Sequence, residues 1–359
     1  MSAELRSRPP QGGLTPARRL TIMLGSAAAT LAAVAIAVLL WAVWTYKGPG
    51  PAALKGDATV VILRHGASLP EIASSLERAG VVRSSSVFVA VAQVTGAARG
   101  LKAGEYRITS REPMARILDD IRNGRVVRHQ LTIPEGWTSD MAADALARTP
   151  ELTGDAPAPP EGSLLPDTYQ FERGDDRAAV LKRMMDAHDE MLATLWARRQ
   201  QGLPLTTPDQ AVTLASIVEK ETGVASERPR VAAVFVNRLR AGMRLESDPT
   251  IIYGLTRGKP LGRGIRLSEI TQLTPYNTYL IPGLPPTPIA NPGRASLAAV
   301  LDPPKTTELF FVADGGGGHV FASTFPEHKK NVDRWRALQK QKDALAAKAA
   351  PAAMPAGKR

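Results

Sequence analysis

Two glutamates, Glu219 and Glu221, close an apolar stretch that ends at Gly223. Positioned carboxyls are general acids and bases, so the geometry of this pair decides what it can do. At about 100° per residue, Ala211, Leu214, Ala215 and Val218 form one apolar stripe of a helix. Glu221 falls at the edge of that stripe, between Leu214 and Ile217. Glu219 falls on the other flank, near Val212. Lys220, Ser216 and Thr213 share the side expected to face water. Residues two apart on a helix do not face each other, so these carboxyls cannot act as a pair across one bond. A carboxyl at an apolar edge is pushed toward its neutral form, because desolvation disfavours the charge. That is the state a general acid needs at neutral pH. From helix position alone, the more ordinary reading is two solvated helix-end charges.

The helix that carries them has a marked start. Thr207-Pro208-Asp209-Gln210 reads as an N-cap, a proline at the first helical position, an acid at the positive helix end and the Gln of a capping box. Before it, Asp175 to Arg199 reads as a long helix. After it, Ser226-Glu227 opens another, with Val231, Val234, Phe235 and Leu239 on one face and Gly242 as its stop. The next hundred residues set specific polar and aromatic types among turn residues: Asp248-Pro249-Thr250, Tyr253, Thr274 to Tyr279, and the Pro-rich loop Ile281 to Gly293. Leu309 to Ala313 reads as a buried strand, Asp314 and four glycines as a turn, and His319 to Phe321 as the returning strand. A last helix is expected from Asn331, fraying into an Ala/Lys/Pro tail.

Composition excludes several chemistries. There is no cysteine among the 359 residues, which removes disulfides, thiolate zinc sites and a cysteine nucleophile. The five histidines are scattered, with no local metal spacing, so no metal and no cofactor are expected. The formal charge is +11, yet there is no dense basic run, zinc finger or phosphate loop. No nucleic-acid partner is expected. The charge is attributed to solvated faces and to an anionic surface nearby.

The N-terminal third supplies the setting. Residues 1–19 are polar, with Arg6, Arg8, Arg18 and Arg19 against Glu4, and are expected to form a cytoplasmic tail. Leu20 to Tyr46 holds no charge over 27 residues, enough to span a bilayer with some tilt. Trp41, Trp44 and Tyr46 stand where an aromatic belt belongs, and the arginines before the span put the N-terminus inside. The run is too long for a signal-peptide core, so an uncleaved anchor is expected. Residues 47–57 read as a linker. Strand Thr59 to Arg64, a helix capped by Ser68, a helix over Val87 to Val94, a strand near Tyr106, a helix Met114 to Asn123 and a strand Val126 to Ile133 make a small α+β module. Pattern alone makes it a structural spacer. A turn at Pro134 to Trp137, a helix from Thr138 or Ser139 to Leu146 and a Pro/Gly loop over 152–163 lead into Leu164 to Phe171.

With these residues in place, the chain resembles the MltG (YceG-like) family of membrane-anchored endolytic murein transglycosylases. The resemblance runs from Thr59 to about Trp335. It rests on Leu164-Leu-Pro-Asp-Thr-Tyr169, Ala215-Ser-Ile-Val-Glu-Lys-Glu-Thr222, Ser247-Asp-Pro-Thr-Ile-Ile-Tyr-Gly254, Tyr276-Asn-Thr-Tyr279 and Gly283-Leu-Pro-Pro286, in that order. The departures are modest: Tyr169 stands where some relatives carry Trp, and the 315–318 turn is all glycine.

The resemblance implies an α+β fold: a single N-terminal transmembrane helix (20–46), a small LysM-like module (58–133) and a larger mixed catalytic domain (134–335), with 336–359 as a helix end and tail. It implies cleavage of nascent peptidoglycan glycan strands to leave 1,6-anhydro-N-acetylmuramic acid ends, on the periplasmic side of the inner membrane, with peptidoglycan synthases as candidate partners. It implies Glu221 as the catalytic acid. Glu219, Asp248, Tyr253, Tyr276 and Asn277 are candidates for substrate contact or electrostatic help, and Tyr279 joins Tyr253 and Tyr276 as a ring that could stack on sugar. Each has a structural alternative: Asp248 fixing a turn before Pro249, Glu219 in a salt bridge to Arg228, and the tyrosines in the core. Two rival functions stay open: a water-using muramidase with Asp248 as its second carboxylate, and a non-catalytic membrane-tethered scaffold.

Overall fold

A computed structural model describes residues 16–349. The polar tail expected over 1–19 lies outside them as far as residue 15, as does the C-terminal tail from residue 350. The chain is mixed α+β and divides into two compact units, Met1–Val127 and Arg128–Arg359.

The first unit begins with α1, Pro16–Lys47. Among the described residues it is the one helix long and apolar enough to cross a membrane. The stretch expected as a linker from residue 47 is fastened in its first half. Thr45 is buried and Tyr46 packs on the unit's core. Gly50 N–H donates to the Arg111 carbonyl (3.0 Å), Arg111 N–H donates to the Pro51 carbonyl (2.9 Å), and Arg83 donates to the Pro49 carbonyl (3.2 Å) while lying over the Trp44 ring. A side chain on Gly50 would meet the Glu112 carbonyl at 2.2 Å, so the approach requires glycine.

Strands β1 (Ala58–Leu63) and β2 (Gly104–Thr109) pair antiparallel with Val61 opposite Tyr106. Their alternation turns Val61, Leu63, Tyr106 and Ile108 inward. Helices α2 (Leu69–Arg78), α3 (Ser85–Val94) and α4 (Met114–Asn123) bring Ile72, Leu76, Phe88, Ile117 and Ile121 to the same core. Of the strand expected to close this module, Val126 packs on its core and Val127 N–H donates to the Glu105 carbonyl (2.7 Å), but the residues from Arg128 do not join it. As β3 (Arg128–Thr132) they pair with β4 (Thr168–Glu172), Leu131 opposite Tyr169, in the second unit. The boundary therefore falls at residue 127 rather than 133.

In the second unit, α5 (Ser139–Ala147) and α6 (Arg177–Ala197) pack with β3 and β4 around Leu146, Leu164, Phe171, Leu181 and Met184. A larger core surrounds α7, Pro208–Glu221. Helices α8 (Arg228–Arg240), α9 (Asp248–Thr256) and α11 (Arg294–Leu301) lie against it, and a single turn, α10 (Leu267–Ile270), precedes the Pro-rich loop. Strands β5 (Phe310–Ala313) and β6 (His319–Ala322) form an antiparallel ribbon covered by α12, Phe325–Ala349. That helix starts six residues before the expected Asn331. Thr324 and Glu327 make a reciprocal capping box at its head.

One side of α7 differs from expectation. Thr213 and Ser216, expected to face water, are buried. Their hydroxyls donate into the helix, to Asp209 and Thr213 carbonyls at 2.9 and 2.7 Å, and the Pro-rich loop closes over them as Ile289 N–H donates to Ser216 Oγ (3.0 Å). The N-cap is as read: Thr207 Oγ1 accepts from Gln210 N–H at 3.2 Å. Gln210, however, reaches back to Thr206 N–H (2.7 Å) instead of Thr207. Thr207→Ala should cost about 1 kcal/mol, seen in a chemical melt, with cleavage by the folded protein retained.

Candidate active site

Helix α7 delivers Glu221 at its last turn, half-buried, to a point faced by α8, α9 and the start of β6. Burial pushes the Glu221 carboxyl up to about 7. The nearby Asp248 adds to the rise, while the Ser247 hydroxyl, His319 and Arg238 oppose it. A carboxyl titrating there is divided between acid and base at neutral pH, which suits a group that must both give and take a proton.

The segment before α9 builds the other wall. Ser247 is buried, and its Oγ donates to Glu221 Oε1 at 2.5 Å. Asp248 heads α9, where the helix N-terminus favours a carboxylate, so it opens a helix and not the isolated turn considered for it. Asp248 Oδ1 accepts from the Tyr279 hydroxyl at 2.7 Å, and the tyrosine is held in its neutral form by burial and by that carboxylate. The third wall is a clamp. Glu227 Oε1 accepts from His319 N–H (2.9 Å) and Oε2 pairs with Nδ1 of the same residue (2.8 Å). Phe311 meets the imidazole edge-on at 5.3 Å. Among the described residues no hydrogen bond is made to His319 Nε2.

The remaining sequence candidates lie elsewhere. Glu219 points away from Glu221, as its helix angle requires. Its Oε2 accepts from Gly293 N–H (2.9 Å) and Ser296 Oγ (2.7 Å), and Oε1 lies 3.5 Å from Arg228, the salt bridge considered as its alternative. Gly293 caps α11 and carries no side chain to do the work. A Cβ there would overlap the Glu135 carboxylate. Glu219 is thus the cap of a neighbouring helix. Glu219→Ala should cost about 2–3 kcal/mol, since it orphans a buried N–H and leaves Arg228 only its longer ion pair to Glu135, at 3.9 Å. Denaturant unfolding checks this, and the folded fraction should still cut substrate.

Tyr253 is a core residue, its hydroxyl donating to Glu161 at 3.0 Å and its ring packed on Tyr276 at 5.0 Å. Tyr276 is bonded to Thr287 (2.8 Å). Asn277 is buried, its amide donating to the carbonyls of Ile270 and Gln272 at 2.8 and 2.7 Å, so it shapes the turn that presents Thr278 and Tyr279. Of the candidates, the structure brings Asp248 to Glu221 and spends Glu219, Tyr253, Tyr276 and Asn277 on the protein itself. Sequence reasoning passed over Ser247, Glu227 and His319, and took Tyr279 only as a ring that could stack on sugar. Ser247 and Tyr279 sat inside quoted motifs beside chosen residues, but nothing marked their hydroxyls as the ones that turn inward. Among the described residues no group of three or more acidic or histidine side chains could hold a metal ion.

A family model described as YceG-like matches residues 61–334. The chain belongs to the YceG-like family. Curated relatives agree. An endolytic murein transglycosylase of Bacillus subtilis (strain 168) is 29% identical over 310 residues, covering 77% of this chain and 84% of that protein. One of Streptococcus pneumoniae (strain D39) is 29% identical over 317 residues, covering 74% of this chain but 56% of the relative's length. A crystal structure of a yceG-like protein from Listeria monocytogenes aligns with 76% of this chain and 98% of its own at 29% identity, with a TM-score of 0.49. The YceG-like match contains every wall of the Glu221 site.

Proposed function

We propose that this protein is an endolytic lytic transglycosylase, a lyase that cuts nascent peptidoglycan between N-acetylmuramic acid and N-acetylglucosamine and ends strand elongation. The observation that carries this reading is one carboxyl at the site, Glu221, bound by Ser247 and raised by burial, while among the described residues the two other carboxylates considered for catalysis are already engaged. Glu219 is consumed by α11, and Asp248 is engaged by Tyr279. A hydrolase needs a second carboxylate to activate water or attack the sugar. A transglycosylase does not.

Protonated Glu221 gives its proton to the oxygen leaving muramic acid C1, and the C1–O bond breaks. The resulting carboxylate takes the proton of the C6 hydroxyl on the same sugar, whose oxygen bonds C1. No water is consumed, and Glu221 ends as it began. The nucleophile is intramolecular, so proximity stands in for a second side chain. The Asp248 carboxylate, held in place by Tyr279, is placed to offset the oxocarbenium-like charge.

The finer setting follows the same reading. Helix α1 crosses the inner membrane once with the arginine-bearing end in the cytoplasm, which puts the second unit in the periplasm. The first unit is a LysM-like module. Its open cleft of about 460 Å³, lined by Arg64, His65, Ser75 and Arg78 among others, would take a glycan strand. Peptidoglycan synthases are the partners expected of an enzyme acting on nascent strands.

Long uncrosslinked strands test the endolytic step. The full chain in detergent should release mid-length fragments from the first minutes. Release of terminal disaccharides alone would overturn it.

A further inference from the structure

We propose that Ser247 is a positioning residue that gives the two oxygens of Glu221 different jobs, so that Oε1 stays bound to the protein and Oε2 does the proton transfer. The inference rests on the transglycosylase reading and deepens it. Ser247 is almost fully buried, at 1% exposure, and its backbone is fixed on both sides. Its N–H donates to Thr278 Oγ1 (3.0 Å), its carbonyl accepts from Thr250 Oγ1 (2.7 Å), and the two threonine hydroxyls meet at 2.9 Å. Thr250 gives its proton to the Ser247 carbonyl, so the Thr278 proton goes to Thr250 or to that same carbonyl at 3.5 Å. Both threonine protons are spent, and neither is available to Glu221.

The Ser247 hydroxyl lies 2.5 Å from Oε1, and among the described residues it has no other acceptor. With Ser247 donating, Oε1 carries no proton, and the acid proton sits on Oε2. Among the described residues Oε2 makes no hydrogen bond, so it is left for substrate. The same hydroxyl stabilises the carboxylate formed after proton donation, when the sugar carries positive charge. The other titratable or charged groups that face Glu221 are Asp248 of α9, Arg238 of α8, His319 of β6 and Tyr279. None of them binds Oε1.

Ser247→Ala removes one hydroxyl and little volume. On uncrosslinked strands, the full chain in detergent should lose about 10- to 100-fold in kcat, with KM changed by less than about threefold. Its alkaline limb should move to higher pH, because the lost hydrogen bond favoured the carboxylate. Carbon-detected NMR of the Glu221 carboxyl should show the same upward move without any substrate. Ser247→Thr keeps the hydroxyl and should restore both. A Ser247→Ala protein with wild-type kcat, or with lowered kcat and an unmoved limb and carboxyl titration, would overturn the assignment. Reducing ends from the wild-type protein would sink the transglycosylase reading instead, and the NMR titration would still report on Ser247.

Discussion

Glu221→Gln should abolish strand cleavage, with a loss of about 10³-fold or more in kcat, since general acid and base steps are each worth 10²–10⁴ and one group serves both here. The variant should fold at least as well as the wild type. A glutamine carbonyl can still accept the Ser247 hydroxyl that now binds Oε1, and no buried charge remains. The sign follows from linkage. Glu221 has a folded pKa raised to about 7 from an ordinary carboxylate value, so the folded protein binds the extra proton between those values. Stability from this group is complete at low pH and falls as pH rises through the window up to about 7. Glu221→Gln should therefore melt above the wild type at about pH 8 and level with it at about pH 4. Melts at both pH values check this alongside activity. An inactive variant that melts lower at high pH would mean that Glu221 is a structural charge.

The second large effect is on stability. Arg238 is buried, and its guanidinium donates to the carbonyls of Leu309 (2.7 Å), Arg244 (3.1 Å) and Leu245 (3.0 Å) and to the Glu246 carboxylate (3.0 Å). It joins the end of α8 to β5 and to the strained step into the site, where Glu246 has φ 53°. Arg238→Met fills much of the volume but orphans three carbonyls in a dry place. It should cost about 3 kcal/mol, or roughly 6–12 °C in Tm for a unit of this size. Lysine cannot replace the fork and should recover only part of that. The folded fraction should also turn over more slowly, because residues 244–246 lead directly to Ser247. A change under about 0.5 kcal/mol in denaturant would show that water satisfies these carbonyls.

How much of this was legible beforehand depended on whether the signal was local. The stripe on α7 and the cap at Thr207 are repeating or adjacent patterns, and both stand. So does the separation of Glu219 from Glu221, which follows from helix pitch alone. The burial of Thr213 and Ser216 was not legible, because a loop more than 70 residues away covers them and their hydroxyls satisfy themselves on the helix. Helices α9 and α11 were hidden for a related reason: each begins at a proline- or glycine-rich turn, and its stability comes from packing on α7. In the site, helix position put Glu221 at an apolar edge, and the motif shared with the family singled it out. Ser247 and His319 could not be singled out, and Tyr279 only as a ring, since what matters is which hydroxyl or ring turns toward a carboxyl 26 or more residues distant. Tyr253 and Asn277 erred the opposite way. An aromatic or amide in a turn-rich segment suits a sugar cleft, but here Glu161 and backbone carbonyls claim them first.

The central claim is that one carboxyl and an intramolecular hydroxyl cut the strand without water. The most direct measurement is mass spectrometry of the new muramic acid ends after digestion of uncrosslinked strands in heavy-oxygen water. The account predicts anhydro ends, one water lighter than reducing ends and free of solvent oxygen, and none from Glu221→Gln. Reducing ends carrying heavy oxygen would contradict it, and would make this protein a hydrolase with Asp248 as the carboxylate to examine.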